Sequence, residues 1–131
     1  MKKPQRILLI DDEQDILLYL STALEDQGYE VACATSHVEG LRALKDFSPD
    51  LVCLDILMPE KTGLSLYRKL HSLPPGQQPP VIVISGMGLR GKSGNTPANI
   101  SGVELTHYLE KPVNLPELID LVGTLLSEAK P

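Results

Sequence analysis

The chain has 131 residues, of which 42% are hydrophobic and 22% are charged, and its formal net charge is −5. This composition is typical of one globular domain and excludes an intrinsically disordered chain. The negative charge argues against nucleic-acid binding by this segment, since phosphate contacts need clustered Lys and Arg, and no stretch approaches the ~20 apolar residues of a membrane helix.

Short apolar runs alternate with segments of helical periodicity, which predicts βαβ units and an α/β fold with a parallel sheet. The first strand is expected over about 6–11 and the first helix over about 14–26. A second strand, 30–34, precedes Ser36 and Glu39, whose spacing predicts a capping box that opens the second helix. The side chains expected on the inward face of that helix are Val38, Leu41, Leu44 and Phe47.

The second half of the chain continues the alternation. The third strand is expected over 51–55, and the unbroken apolar run 81–84 is typical of a strand covered on both faces. The face that the intervening helix buries is expected to contain Leu64, Tyr67 and Leu70. The last strand is expected over about 105–109, and the final helix begins with Asn114 as its cap and Pro116 in its first turn.

One segment departs from the pattern. Residues 86–102 should contain the fourth helix, yet they include five glycines and a proline and have no apolar stripe. An interior Gly costs a helix about 1 kcal/mol relative to Ala, and Pro costs about 3 kcal/mol. We therefore predict a short fourth helix or a loop in its place, with at most a single turn from Thr96 through Ile100.

The two cysteines and the N-terminus indicate the compartment. Cys33 and Cys53 lie in apolar stretches without metal-ligand spacing, which predicts two buried free thiols. Free thiols are typical of the reducing cytosol. The basic N-terminal residues are followed by an apolar run of only about five residues, too short for a signal peptide. We expect a cytoplasmic protein.

Acidic residues follow two of the predicted strands. Asp11 and Asp12 end the first apolar run, and Asp55 ends the third. If these strands are neighbours in a parallel sheet, the carboxylates converge at its carboxyl edge, where open α/β sheets bind their ligands. Gathering them causes like-charge repulsion unless a cation binds them. With Lys111 following the last strand, this arrangement suggests Mg²⁺-dependent phosphoryl transfer onto Asp55.

These residues resemble those of a known family. The ordered set that carries the resemblance is Asp11-Asp12, Asp55, Met58-Pro59, Ser85 and Lys111-Pro112. It is similar to the receiver domain of two-component response regulators and covers about residues 5–128, so residues 1–131 are expected to form a single receiver domain. The resemblance implies a flavodoxin-like, doubly wound, five-stranded parallel sheet in the order 2-1-3-4-5, with helices on both faces.

The resemblance also implies roles at the acidic site. Asp55 is the expected phosphoacceptor. Asp12, Asp55 and the backbone carbonyl of Leu57 are expected to bind Mg²⁺ directly, and Asp11 is expected to act through water. Mg²⁺ prefers octahedral oxygen ligands and keeps several waters, which suits so few carboxylates. Without a cation, Asp11 and Asp12 could instead serve only as caps and dipole partners of the first helix.

Four further residues have implied roles. Lys111 would contact the Asp55 carboxylate and later a phosphoryl oxygen, and a cis bond to Pro112 would turn its side chain into the pocket. Ser85 would donate its hydroxyl to the phosphoryl group, and Tyr108 would rotate into the space that Ser85 leaves. Other interpretations are a solvated lysine at a strand end, an ordinary strand-terminal serine and a packing tyrosine.

The expected function is a phospho-acceptor switch. A sensor histidine kinase or phosphotransfer protein would phosphorylate Asp55, and a downstream effector domain or protein, or a homodimer, would respond. The chain would not be an enzyme beyond assisting its own phosphorylation and dephosphorylation. Because Leu57 and Met87 are apolar where such domains line the path of the attacking water, self-dephosphorylation is expected to be slow.

Three other functions are open to such a sequence. A pseudo-receiver would keep the fold and signal through protein contacts alone, which the altered fourth helix favours slightly. An aspartyl phosphatase would need a carboxylate at Leu57, and a flavin-binding module would need a hydroxyl-rich loop where Asp11 and Asp12 stand.

Overall fold

A parallel five-stranded sheet forms the centre of the molecule, in the spatial order β2-β1-β3-β4-β7. Its strands are β1 (Arg6–Ile10), β2 (Glu30–Ala34), β3 (Leu51–Asp55), β4 (Val81–Ser85) and β7 (Tyr108–Glu110). The computed structural model describes residues 3–56, 63–74, 76–86, 98–100, 103–105 and 107–128. β1 lies between β2 and β3, as in the predicted doubly wound order. The fold-class prediction is confirmed.

Helices cover both faces of the sheet. The described residues contain α1 (Gln14–Asp26), α2 (His37–Asp46), α3 (Gly63–His71) and α4 (Leu115–Glu128). Side chains of α1 and α4 pack on one face in a single apolar cluster, and those of α2 and α3 pack on the other. All five residues of β3 and of β4 are buried, as expected for strands covered on both sides. Among the described residues, no helix has the length and apolar character needed to cross a bilayer.

The predicted helix caps form at α2 and α4. The Ser36 hydroxyl accepts from the Glu39 backbone N–H at 3.1 Å, and the Asn114 side-chain oxygen accepts from the Glu117 N–H at 2.9 Å. The Glu39 carboxylate reaches back one residue further than in a standard capping box, to the Thr35 N–H at 2.9 Å. This hydrogen bond lowers the pKa of the Glu39 carboxyl.

Two side chains predicted to be buried are exposed. Val38, in the first turn of α2, is 64% exposed, so the prediction that it faces inward is wrong. Cys33 is also exposed, whereas Cys53 is buried, and both are free thiols. Cys33 lies on β2, which is at the edge of the sheet formed by the described residues and therefore has less cover than the central strands.

The chain between β4 and β7 differs from the prediction. Ala98–Ile100 forms a strand, β5, that pairs antiparallel with β6 (Val103–Leu105) in a separate two-stranded sheet. A helical turn through Ile100 is therefore wrong, and the last parallel strand begins at Tyr108 rather than at Leu105, because Leu105 pairs with Ala98. The predicted loop over 87–97 lies outside the described residues.

Gly40 lies where α2 packs closely on the sheet. A Cβ atom built at this position of α2 would lie 3.0 Å from the Ile10 side chain and 3.2 Å from that of Leu66. Both neighbours are buried in the core between the sheet and the α2–α3 layer. A glycine in the middle of a helix costs stability, and here it allows α2 to pack tightly on β1.

Candidate functional site

Two carboxylates lie side by side at the carboxyl edge of the sheet. The register pairs Ile10 with Leu54, so Asp11 and Asp55 are the next residues of two neighbouring parallel strands. Both side chains are buried, with Asp11 4% exposed and Asp55 3% exposed. Two adjacent buried negative charges are unfavourable unless a cation lies between them.

Lys111 provides a cation from a strand that is not adjacent to β3. Its backbone N–H donates to the carbonyl of Ser85 at 2.9 Å, which continues the pairing of β7 with β4. Its ammonium nitrogen lies 3.0 Å from Asp11 Oδ2, 3.0 Å from Glu13 Oε1 and 3.3 Å from Asp55 Oδ2. Strands two places apart are separated by about 10 Å, and a lysine side chain is long enough to cross most of this distance.

The surroundings keep Lys111 charged. Partial burial by itself would lower the pKa of the ammonium group. Hydrogen bonds to Glu13 and Asp11, together with the charges of Asp55 and Asp11, outweigh that effect and raise the pKa above its usual value. The lysine therefore acts as a permanent positive charge in the pocket at neutral pH.

The acidic residues offer a set of ligands for a cation. Carboxylate oxygens of Asp11, Asp12, Glu13 and Asp55 all lie within 4.8 Å of one another. Four hard oxygen donors suit Mg²⁺, Ca²⁺ or Mn²⁺ and do not suit metals that favour sulfur or imidazole ligands. The residues present therefore fit a hard divalent cation. The predicted carbonyl ligand, on Leu57, lies outside the described residues.

Ser85 and Tyr108 lie on the neighbouring strands β4 and β7, and Tyr108 starts its strand rather than lying near the end of it as predicted. Ser85 ends β4 and is 1% exposed. Tyr108 begins β7 beside Val83, is partly buried and packs against the core on the α2–α3 side. The bond between Lys111 and Pro112 is cis, as the resemblance implied. Met87, expected to flank the water path, lies outside the described residues.

Glu13 was missed as a contact of the site. It follows the aspartate pair directly, and its backbone N–H donates to Asp11 Oδ1 at 2.9 Å. Its side chain contacts Lys111, 98 residues later in the chain. In the sequence, the only signal of this contact was a third acidic residue after the aspartate pair. Acidic residues at the start of a helix are common because the helix dipole stabilises them there.

Comparison with known proteins gives the family. The family model for the response regulator receiver domain matches residues 7–123. The transcriptional regulatory protein GlrR of Escherichia coli K12 is 31% identical over 131 residues, which cover 98% of this chain and 28% of GlrR. The transcriptional regulatory protein PrrA of Mycobacterium tuberculosis is 34% identical over 123 residues, which cover 92% of this chain and 49% of PrrA.

A solved structure supports the same assignment. The CheY-like response regulator receiver domain protein from Methanospirillum hungatei JF-1 has a TM-score of 0.79 and 30% identity, and the match covers 96% of each chain. By contrast, the chain spans about half or less of the length of the two curated relatives. The chain therefore belongs to the response regulator receiver domain family of two-component signalling.

Proposed function

We propose that the chain is a phospho-acceptor switch in which Asp55 receives a phosphoryl group from a phosphohistidine. The observation that carries this proposal is the position of Asp55. Its buried carboxylate ends β3, beside Asp11 and 3.3 Å from the ammonium of Lys111. Such a carboxylate is held in place and paired with the positive charge that its product would need.

The transfer requires no proton to be removed from the acceptor. One oxygen of Asp55 attacks the phosphorus, the phosphorus–nitrogen bond of the donor breaks, and the donor imidazole keeps the electron pair and takes up a proton. The product is an acyl phosphate on Asp55. Lys111 offsets the added negative charge, and the Ser85 hydroxyl donates to a phosphoryl oxygen.

Asp12 and Asp55 would hold Mg²⁺ directly, with the backbone carbonyl of Leu57 as a further ligand and Asp11 bound through water. When bound, Mg²⁺ neutralises charge between acceptor and donor and aligns their oxygens. The four clustered carboxylates support this assignment.

Ser85 and Tyr108 would transmit the change. When Ser85 moves toward the phosphoryl group, the ring of Tyr108 turns into the space that it leaves. Moving a population from mostly inactive to mostly active takes about 5.5 kcal/mol of differential stabilisation. Charge-assisted hydrogen bonds from Lys111 and Ser85 to the phosphoryl group contribute to this difference.

The partners follow from the proposed chemistry and from the relatives. The chain would be cytoplasmic, and a sensor histidine kinase or phosphotransfer protein would supply the phosphoryl group. Since GlrR and PrrA are longer and are named transcriptional regulatory proteins, an effector domain or protein, or a homodimer, would receive the signal. Residues 1–131 would form one receiver domain that binds neither nucleic acid nor membrane itself. It would be no enzyme beyond assisting its own phosphorylation and dephosphorylation.

Acetyl phosphate tests the proposal. Wild type, Asp55→Asn and the control Asp26→Asn, an exposed aspartate at the end of α1, are incubated with the donor in Mg²⁺ or in chelator and followed by intact mass. We expect a phosphorylated species in wild type and the control with Mg²⁺ only, and none in Asp55→Asn. No modification of wild type would indicate a pseudo-receiver, and phosphate release without accumulation would indicate a hydrolase.

A further inference from the structure

Glu13 occupies a helix-cap position without acting as a cap. It is the N-cap residue of α1, with extended backbone angles (φ −94°, ψ 108°), and its side chain makes no capping hydrogen bond to a residue that the structure describes. The carboxylate is instead directed to Lys111, whose ammonium nitrogen lies 3.0 Å from Glu13 Oε1. Glu13 therefore does not provide the side-chain cap that commonly contributes about 1 kcal/mol at a helix start. It forms an ion pair across the pocket instead.

The ammonium of Lys111 is shared by three carboxylates in this state. It carries three N–H groups, and three carboxylates accept from it or pair with it, those of Asp11, Glu13 and Asp55. The contact to Asp55 is the longest, at 3.3 Å against 3.0 Å for the other two. Asp11 and Glu13, between β1 and α1, therefore lie closer to the Lys111 ammonium than the proposed phosphoacceptor Asp55 does.

The three contacts differ in how easily water can replace them. The side chains of Asp11 and Asp55 are 6% and 3% exposed, but that of Glu13 is 58% exposed. A carboxylate released into water regains its hydration, whereas a buried one does not. An additional anion beside Asp55 that needs Lys111 would consequently displace Glu13 first.

We infer that Glu13 is a positioning residue that holds Lys111 in the resting state and competes with the phosphoryl group on Asp55 for the same ammonium. This inference rests on the proposed function and adds a regulatory contact to it. Phosphorylation would exchange the Lys111–Glu13 pair for a Lys111–phosphoryl pair. Glu13 would then favour the unphosphorylated arrangement, and its removal would favour the phosphorylated one.

The expected size of the effect follows from the exposure of Glu13. Half-exposed ion pairs contribute little, so removing this competitor should tighten binding of a phosphoryl mimic by about two- to five-fold. Loss of a negative charge would also weaken binding of a divalent cation. The comparison is therefore made at saturating Mg²⁺.

The test is a beryllofluoride titration of wild type, Glu13→Gln, Glu13→Asp and Asp15→Asn, followed by amide shifts in NMR spectra. Glu13→Asp keeps the charge, but its side chain is one methylene shorter and loses the 3.0 Å contact. Asp15→Asn removes one charge from an exposed position in the first turn of α1. We expect both Glu13 variants to bind the mimic more tightly and Asp15→Asn to match wild type.

Each other result has a defined meaning. If wild type binds beryllofluoride and Glu13→Asp binds it equally well, the contact has no role and the inference is overturned while the proposed function stands. An equal gain in Asp15→Asn would assign the effect to overall charge and would also overturn it. If wild type binds no beryllofluoride at saturating Mg²⁺, the proposed function and this inference both fail. A second measurement, the NMR signal of the Lys111 ammonium in the resting state, should change in Glu13→Asp and not in Asp15→Asn.

Discussion

Replacing Lys111 by Met would leave Asp11 and Asp55 buried without the cation that pairs with them. The side chains of Asp11 and Asp55 are 6% and 3% exposed, and that of Lys111 is 16% exposed. Breaking a buried ion pair by removing one partner costs about 3–5 kcal/mol. The contact with Glu13 is largely in water and adds no more than ~1 kcal/mol. Because Lys111 is not fully buried, we expect a loss of about 3 kcal/mol in the free energy of unfolding.

Urea unfolding in chelator at neutral pH measures this loss. Lys45→Met, which changes an exposed lysine in the last turn of α2, is the control and should stay within about 0.5 kcal/mol of wild type. Adding Asp55→Asn to Lys111→Met should recover part of the loss, because one of the two buried negative charges is removed.

Added Mg²⁺ provides an independent check on the same reasoning. The Lys111→Met variant keeps all four clustered carboxylates and has no competing ammonium among them. A cation that binds only the folded state raises its stability, so Mg²⁺ should stabilise the variant more than wild type. A loss below about 1 kcal/mol in chelator would refute the electrostatic reasoning, and so would equal stabilisation of both proteins by Mg²⁺.

Three further predictions concern packing, thiols and pH. Gly40→Ala should lower the free energy of unfolding by about 1 kcal/mol, because overpacking outweighs the gain in helix propensity. Gly123→Ala in α4, whose added Cβ would meet nothing within 4 Å, should raise it, and urea unfolding of both variants checks the contrast. Burial raises the pKa of the Cys53 thiol to about 12, so mass spectrometry after alkylation should find Cys33 labelled in the folded protein and Cys53 only after unfolding. Since the folded-state pKa of Lys111 is raised above its usual 10.5, its stabilising contribution should be complete below the usual pKa and should decline as the pH rises from there through the raised folded-state pKa. The stability difference between wild type and Lys111→Met should thus be constant from about pH 7 to about pH 10 and shrink in stronger alkali.

Local sequence patterns determined most of the fold and the principal site. The alternation of apolar runs and helical stripes predicted α1 over 14–26 and β2 over 30–34, and both boundaries match the structure. Parallel strands end at a common edge, so the positions of Asp11 and Asp55 were enough to predict that the two carboxylates meet. The contact of Lys111 with Asp55 was implied by the family resemblance. These inferences succeed because strand direction and side-chain periodicity are local properties of the chain.

Tertiary structure decided what depends on neighbours distant in sequence. Whether Val38 and Cys33 are covered depends on what packs over the first turn of α2 and over an edge strand, and periodicity carries no information about either. Leu105 pairs with Ala98 in the separate antiparallel sheet rather than joining the last parallel strand, and strand propensity by itself does not select the partner. The contact of Glu13 with Lys111 joins residues 98 positions apart, and its geometry exists only once β1, β3, β4 and β7 are assembled in one sheet.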